Sequence, residues 1–324
     1  MNSNQIPQFP PAAKKIVNQI ENKDVLGASK HVSMIVEACN ITSQQSTAVN
    51  SKELIDLFSH SMQYFIQTRG TETIAVRNAF DQINDGFDKL QDAPIQDTKK
   101  FIDQQCNQYI EDSKKAILRI AKFGGNLLSN YKSILVFDYS STVVAILNWM
   151  SGVGYPINLV VPECRLVNGG RAVLEQVNTS DHKIHFIPDV GIGNSIKEVD
   201  AVLVGVETVF SDGSFTNTLG TNMITVLARA NSVPVYAATE LLKVDVNSIS
   251  GSNRDLGHQN LDTFSDYLGN LLSHKKVSIR VPLVDLIPAN NLDAYITECG
   301  IINPSVAWIH AKKSVSMQQG CLDV

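Results

Sequence analysis

Residues 133–161 read SILVFDYSSTVVAILNWMSGVGYPINLVV. The segment begins with a short apolar run that is rich in β-branched residues, passes through a polar turn into an apolar stretch of helical length, and ends in a second β-rich run. A strand, a helix and a second strand at this spacing are typical of a parallel, doubly wound sheet covered by helices on both faces.

The same alternation continues towards the C-terminus. Further β-rich runs and helix-length segments follow at 183–187, 192–199, 201–204, 220–230 and 233–237. We therefore predict an α/β, Rossmann-like domain with a mainly parallel sheet over residues 131–324. Beyond these runs, residues 278–281 could add a strand, and residues 291–297 are predicted to form a short helix.

The part of the chain before residue 131 has a helical pattern. Apolar side chains recur at spacings of three and four, the periodicity of one helix face, at Leu54, Leu57, Phe58, Met62 and Phe65. Comparable patterns precede and follow this segment, and none of them favours a strand. Residues 1–130 are therefore predicted to form an N-terminal helical domain, a bundle of four or five helices.

Composition and charge exclude several classes of protein. The 324 residues are 44% hydrophobic and 18% charged, with a net charge of −5, which argues against direct nucleic-acid binding. The five cysteines are scattered and odd in number, as expected in a reducing compartment. The sequence contains neither a signal peptide nor an apolar run of spanning length, so we expect a cytoplasmic protein without membrane contact.

No cofactor is expected. The seven histidines are dispersed, and none pairs with a cysteine or a carboxylate at metal-ligand spacing. Residues 189–194 contain a Gly-x-Gly but lack the third glycine of a dinucleotide fingerprint. The sequence also lacks the Gly-x-Ser-x-Gly elbow of an α/β-hydrolase.

Ligands of such sheets bind beyond the carboxyl ends of the strands, so the residues there are candidates for chemistry. Asp138 follows the first run, and Ser140 and Ser141 precede a helix whose backbone N–H groups could bind an anion. Spacing alone favours an ordinary helix cap by one of the two serines. After the second run, Arg165 and Arg171 flank two glycines and suit a phosphate clamp, although a surface ion pair explains them equally well.

Two further groups follow the later strands. Glu207 stands at a strand end, near Asn217, Gly220 and Thr221 at the start of a helix, where a ligand could bind. A lone glutamate is more often the structural partner of an arginine.

The remaining candidates are charged side chains. Glu240 and Lys243, after the fifth run, could form an ion pair three residues apart on a helix. In the helical half, Arg69 could reach a ligand anion across the domain cleft, but a solvated arginine before a helix is the commoner arrangement.

The order of these segments resembles one superfamily. Residues 204–209 (VGVETV), 217–222 (NTLGTN) and 233–240 (VPVYAATE), with Lys243, are similar to segments shared by two groups of proteins. One group is the alpha, beta and delta regulatory subunits of translation initiation factor 2B. The other group is the ribose-1,5-bisphosphate and methylthioribose-1-phosphate isomerases. Residues 69–71, 163–171 and 286–305 extend the resemblance in order, and it implies a helical domain followed by a Rossmann-like domain.

Departures from the isomerase pattern favour a non-catalytic member. The resemblance places a catalytic cysteine of the isomerases in the turn after the first strand, where this chain has Asp138 to Ser141. Glu207 stands where the isomerases have an aspartate, Thr218 replaces a lysine, and residues 26–28 (LGA) replace Arg-Gly-Ala. The alpha subunit of factor 2B also lacks the cysteine and carries a glutamate at the position of Glu207.

The resemblance therefore implies a factor-2B alpha-like regulatory protein that binds a sugar phosphate or a nucleotide monophosphate without turnover. It implies a homodimer whose partners could include other factor-2B subunits. The residues expected to bind the ligand are Arg69, Ser140, Ser141, Arg165, Arg171, Asn217, Gly220, Thr221 and Lys243.

Two alternatives remain open. The first is an enzyme, an aldose–ketose isomerase (an intramolecular oxidoreductase) acting on a phosphorylated pentose, with Asp138 and Glu207 as a paired general acid and base. The second is a structural subunit with a vestigial, empty pocket.

Overall fold

The computed structural model describes residues 6–22, 27–68, 74–177, 181–248 and 280–316, together with 259–260, 269 and 271. Five α-helices precede the first strand in these ranges: α1 (Pro11–Glu21), α2 (Ala28–Gln44), α3 (Ser51–Thr68), α4 (Ala75–Ile83) and α5 (Ile95–Leu128). Five more follow it: α6 (Ser141–Gly152), α7 (Gly169–Gln176), α8 (Ile192–Ser195), α9 (Thr221–Ala230) and α10 (Ala307–Ser316).

The central sheet has seven strands in the order β12-β11-β7-β4-β1-β2-β3. In chain order the strands of the described residues are β1 (Ser133–Phe137), β2 (Asn158–Pro162), β3 (Lys183–Ile187), β4 (Ala201–Val204), β5 (Thr208–Val209), β6 (Phe215–Thr218), β7 (Val235–Ala238), β8 (Gln259–Asn260), β9 (Arg280–Val281), β10 (Val284–Ile287), β11 (Ala294–Thr297) and β12 (Gly300–Ile302). Only β12 is antiparallel to its neighbour in the central sheet. The predicted α/β class, with helices first and a mainly parallel sheet after them, is confirmed.

The helical pattern around Leu54 forms α3 as predicted. Leu54, Phe58, Met62 and Phe65 are at most 1% exposed and form the centre of the helical core. Burying each of these side chains contributes about 1.5–3 kcal/mol.

One predicted element is wrong. The stretch predicted as a helix over residues 291–297 contains strand β11, which pairs in parallel with β7 in the register Ile296 to Ala238. All four residues of β11 are buried, because the strand is covered on both faces of the sheet. A fully buried strand shows no alternation of polar and apolar residues, so periodicity does not distinguish it from a buried helix.

A second, three-stranded antiparallel sheet in the order β10-β6-β5 is not indicated by the sequence pattern. Strand β6 reads FTNT and strand β5 has only two residues, so neither has the apolar signature of a strand. Asn217 and Thr218 therefore belong to a strand that leads into α9.

Helix α5 connects the helical part of the chain to the sheet. Ile102 and Cys106 pack in the helical core, whereas Ile120 and Leu128 pack against one face of the sheet. A Cβ atom at Gly125 would lie 2.1 Å from the ring of Trp149, so the glycine permits the close approach of α5 to α6. This single 34-residue helix carries the helical part over the carboxyl ends of the strands.

No helix in the described ranges is both long enough and apolar enough to cross a membrane.

Candidate functional site

Asp138 directly follows β1 and has a left-handed backbone, with φ of 63°. Few residues other than glycine adopt this conformation, and those that do are common at functional sites. Its side chain lies against Gly169 at the start of α7, where a Cβ atom would be 1.8 Å from Oδ1 of Asp138. The backbone of α7 thus fixes the position of this carboxyl group.

Three donors contact the carboxyl group of Asp138. The hydroxyl of Thr218 donates to Oδ2, and the backbone N–H of Tyr139 and the thiol of Cys164 also donate to it. Burial raises the pKa of Asp138, and these hydrogen bonds oppose only part of the increase. The arrangement favours a carboxylic acid that keeps its proton more readily than a solvated aspartate.

The thiol of Cys164 is not an activated nucleophile. Burial, with the charges of Asp138 and Asp189, raises its pKa far above the usual value. The thiol therefore stays protonated and acts as a hydrogen-bond donor.

Ser140 caps helix α6, as spacing alone favours. Its Oγ accepts a hydrogen bond of 3.4 Å from the backbone N–H of Val143. Gly205, which follows β4, lies against this cap, because a Cβ atom there would be 2.5 Å from Cβ of Ser140. The start of α6 therefore abuts the end of β4.

The helical part of the chain reaches the same turn through Gly27. This residue precedes α2 with φ of 92°, and a Cβ atom there would lie 2.8 Å from Oγ of Ser141 and 3.4 Å from the ring of Tyr139. Residues 26–28 stand where the isomerases have Arg-Gly-Ala. Gly27 and Ala28 of this segment thus lie over the turn that follows β1, whereas Leu26 lies outside the described residues. Arg69 also lies outside them.

Glu207 and Asp138 leave neighbouring strands at the same edge of the sheet. Phe137 of β1 and Val204 of β4 are register partners, Asp138 comes one residue later and Glu207 three residues later. Glu207 is half-buried, and its backbone N–H donates to the carbonyl of Thr216. The carboxylates predicted to form a pair are therefore placed on adjacent strands, at their carboxyl ends.

Lys243 contacts the segment that carries Glu207. The lysine is 4% exposed, and its Nζ donates a hydrogen bond of 2.8 Å to the carbonyl of Val206. The ion pair suggested for Glu240 and Lys243 does not form between them. Glu240 has an extended backbone and only Leu241–Lys243 form a turn, so the two residues do not share a helix face.

The N-terminus of α9 is occupied by a carboxylate of the same chain. Oδ2 of Asp285 accepts hydrogen bonds of 2.8 and 3.0 Å from the backbone N–H groups of Gly220 and Asn222. Asn217 donates to the hydroxyl of Thr221. An anion bound at this helix start would have to displace Asp285, which the sequence reasoning missed.

The two arginines of the expected phosphate clamp form surface ion pairs. Arg165 lies 3.5 Å from Glu163, and Arg171 lies 2.9 Å from Glu175 one turn along α7. The backbone N–H groups of Cys164 and Arg165 donate to Asp189, so this loop is also held by an internal carboxylate. Phosphate binding by the arginines stays a prediction that requires them to leave these partners.

The fold and the site together define a class. The structure of a translation initiation factor eIF-2B from Pyrococcus horikoshii OT3 matches with a TM-score of 0.76 at 19% identity, over 91% of this chain and 98% of that one. The structure of 5-methylthioribose 1-phosphate isomerase from the same organism matches with a TM-score of 0.75 at 22% identity, over 95% and 88%. The chain thus has the fold that these two kinds of protein share.

The model of the Initiation factor 2 subunit family matches residues 25–304, and the chain belongs to this family. Among its relatives, a ribose 1,5-bisphosphate isomerase of Methanocaldococcus jannaschii is 24% identical over 300 residues, which cover 93% of this chain and 94% of the relative. The resemblance inferred from the sequence segments is therefore confirmed.

Proposed function

We propose that this chain is an aldose–ketose isomerase acting on a pentose phosphorylated at C1, with Asp138 as general acid and Glu207 as general base. The observation that supports this most directly is the buried carboxyl group of Asp138, whose pKa is raised and whose position is fixed at the edge where Glu207 emerges. Two carboxyl groups in different environments are suited to opposite roles in proton transfer.

The chemistry requires both groups because a sugar phosphorylated at C1 has no free carbonyl. Asp138 gives its proton to the ring oxygen as the bond from C1 to that oxygen breaks, and Glu207 removes the proton from C2. The resulting enol then receives the proton from Glu207 at C1 and loses the proton of its C2 hydroxyl to Asp138. The product is a ketose that keeps its phosphate, and both side chains return to their starting states.

The extent of the similarity to a ribose 1,5-bisphosphate isomerase, over nearly the full length of both chains, supports this substrate class. Glu207 replaces the aspartate of the isomerases with a longer side chain, and Asp138 stands in the turn where the isomerases have their cysteine. With these two replacements a carboxyl group follows each of the two adjacent strands, and a carboxylic acid stands where the isomerases have a thiol, a weaker acid.

The test is to incubate the protein with ribose 1,5-bisphosphate and with methylthioribose 1-phosphate and to follow ketose formation by NMR. We expect turnover of one of them, reduced at least about 10²-fold by Asp138→Asn and by Glu207→Gln. Glu111→Gln, which alters only the exposed partner of Lys114, is the control and should keep full activity. Turnover that survives both active-site substitutions would refute the assignment.

A second candidate is a regulatory protein of the factor-2B alpha type that binds a sugar phosphate or a nucleotide monophosphate without turnover. It is favoured by Thr218, whose hydroxyl satisfies Asp138 at the position where the isomerases have a lysine. The overall similarity to a solved eIF-2B structure is consistent with it. A ligand that raises the melting temperature but is recovered unchanged would support this candidate, and light scattering would show whether the chain forms the expected homodimer.

A further inference from the structure

A cavity of about 730 Å³ lies between helices α4 and α5 and the segments that follow β7 and β11. We propose that it binds a small organic polycation, a chain of methylene groups with two or more ammonium groups. Asp138 and Glu207 are not among the described residues that line it, so this site is separate from the proposed isomerase site.

The wall of the cavity is acidic. Six carboxylate residues line it and none of the described lining residues is lysine, arginine or histidine: Asp81, Asp85, Asp88, Asp112, Glu240 and Glu298. The first three are exposed and Glu240 is buried, so negative charge extends from solvent into the interior. The negative charge of Asp112 is partly balanced, because its carboxylate lies 3.6 Å from Nζ of Lys115 at the surface.

Glu240 is a buried carboxylate that forms no ion pair with a described residue. It is 3% exposed, and its side chain accepts one hydrogen bond, of 3.0 Å, from the hydroxyl of Ser113 in α5. A carboxylate taken out of water needs a counter-charge or several donors, and this one has a single neutral donor. The cavity is the space from which a cation can reach it.

Tyr109 provides an independent observation. Its side chain is 5% exposed and lines the cavity, and its hydroxyl makes no hydrogen bond with any described residue. The hydroxyl is open to the cavity, where a bound group can supply its hydrogen-bond partner. A ligand ammonium between Tyr109 and Glu240 would satisfy both.

Glu298 adds to the negative potential of the interior. Burial, together with the charge of Glu240, raises the pKa of Glu298 to about 7, while backbone hydrogen bonds and the charge of Arg119 oppose part of the increase. The charge of Glu240 thus disfavours the ionised form of Glu298. A positive group between the two side chains offsets this interaction.

The distribution of the carboxylates favours an extended organic cation over a metal ion. In the described ranges, no three side chains of the metal-binding types come together at one point. The carboxylates are spread along the wall, and apolar side chains lie among them, including Leu242, Val246 and Ala311. Separated ammonium groups match the carboxylates, and the methylene groups between them match the apolar surface.

The experiment is isothermal titration of the full chain with spermidine and with putrescine at neutral pH and low salt. We expect saturable binding at one site, weakened about tenfold or more by Glu240→Gln and by Tyr109→Phe, because each variant removes an acceptor for a charged donor. The matched control is Glu111→Gln, which lies beside Asp112 in α5, outside the cavity lining, and pairs with Lys114 in solvent. It should bind as the unmodified chain does.

Tyr109→Phe separates binding from folding. The hydroxyl faces the cavity and makes no hydrogen bond with a described residue, so its removal should leave the melting temperature nearly unchanged. Absence of saturable heat, equal weakening by Glu111→Gln, or full displacement of the polyamine by an equal concentration of Mg²⁺ would each overturn the proposal. Because the variants leave Asp138 and Glu207 intact, failure here would not affect the isomerase assignment.

Discussion

The hydroxyl of Thr218 donates a hydrogen bond to the carboxyl group of Asp138, 80 residues earlier in the chain. The bond joins strand β6 of the small sheet to the turn after β1 of the central sheet. It therefore connects the two sheets at the proposed acid.

Thr218→Val keeps the shape of the side chain and removes this donor. We expect a loss of about 1.5–3 kcal/mol in the free energy of unfolding where Asp138 is ionised, and a smaller loss at low pH, because the bond stabilises the charged form more strongly. Urea denaturation over a series of pH values, from acidic to alkaline, measures both. Thr225→Val is the control, because the Thr225 hydroxyl donates to the neutral carbonyl of Asn222 and its loss should not depend on pH.

The pH dependence of turnover follows from the raised pKa of Asp138. If Asp138 must be protonated to donate to the ring oxygen, kcat/KM falls as pH rises through that pKa, which burial places above the usual range of an aspartate. The dependence of the rate on pH, recorded at saturating and at limiting substrate concentrations, tests this expectation. A rate that only rises with pH would contradict the role of Asp138 as the acid.

Glu298 makes the folded state less stable as pH rises. The folded state holds this proton more tightly than the unfolded state, since its pKa is raised from 4.5 to about 7. The contribution of protonated Glu298 to the free energy of unfolding is therefore fully present below pH 4.5 and is lost as pH rises through about 7. Its size is about 1–3 kcal/mol. Glu298→Gln keeps an oxygen to accept from the N–H of Leu241, and should flatten the slope measured by denaturation across this range. An unchanged slope would show that Glu298 is not responsible.

Gly125→Ala tests the close packing of α5 on α6. The new methyl group would lie 2.1 Å from the ring of Trp149, so the helices must separate, and we expect destabilisation of about 1–3 kcal/mol. Gly152→Ala, in the last position of α6 with no atom within 4 Å, is the matched control and should be neutral or slightly stabilising. Thermal melts should show a lower melting temperature for Gly125→Ala and an unchanged or slightly higher one for Gly152→Ala.

The sequence predicts the central sheet well because each parallel strand there is a separate apolar run followed by a helix-length segment. It fails at β11, whose four buried residues carry no periodicity, and at β6, whose polar residues are buried and pair on one side with β10, far along the chain. Both failures arise from tertiary contacts that no local pattern encodes.

The candidate site, too, is predicted from the sequence only in part. Asp138 and Glu207 follow the ends of strands that the structure shows to be neighbours, and their action as a pair stays a prediction. The strand-end rule does not find Asp285 and Asp189, which occupy backbone N–H groups that look open in the sequence. Their role depends on contacts over 24 to 65 residues, so only the three-dimensional arrangement reveals that the chain supplies its own anions.

Helix α5 has a consequence for how the molecule unfolds. Ile102 belongs to the core of the helical part and Leu128 to the core beneath the sheet, and both lie in one uninterrupted helix. Unfolding of either core frays the helix that also packs in the other core. The two cores are therefore expected to unfold together. Calorimetry of the chain should therefore record one cooperative heat-absorption peak, in place of two independent transitions.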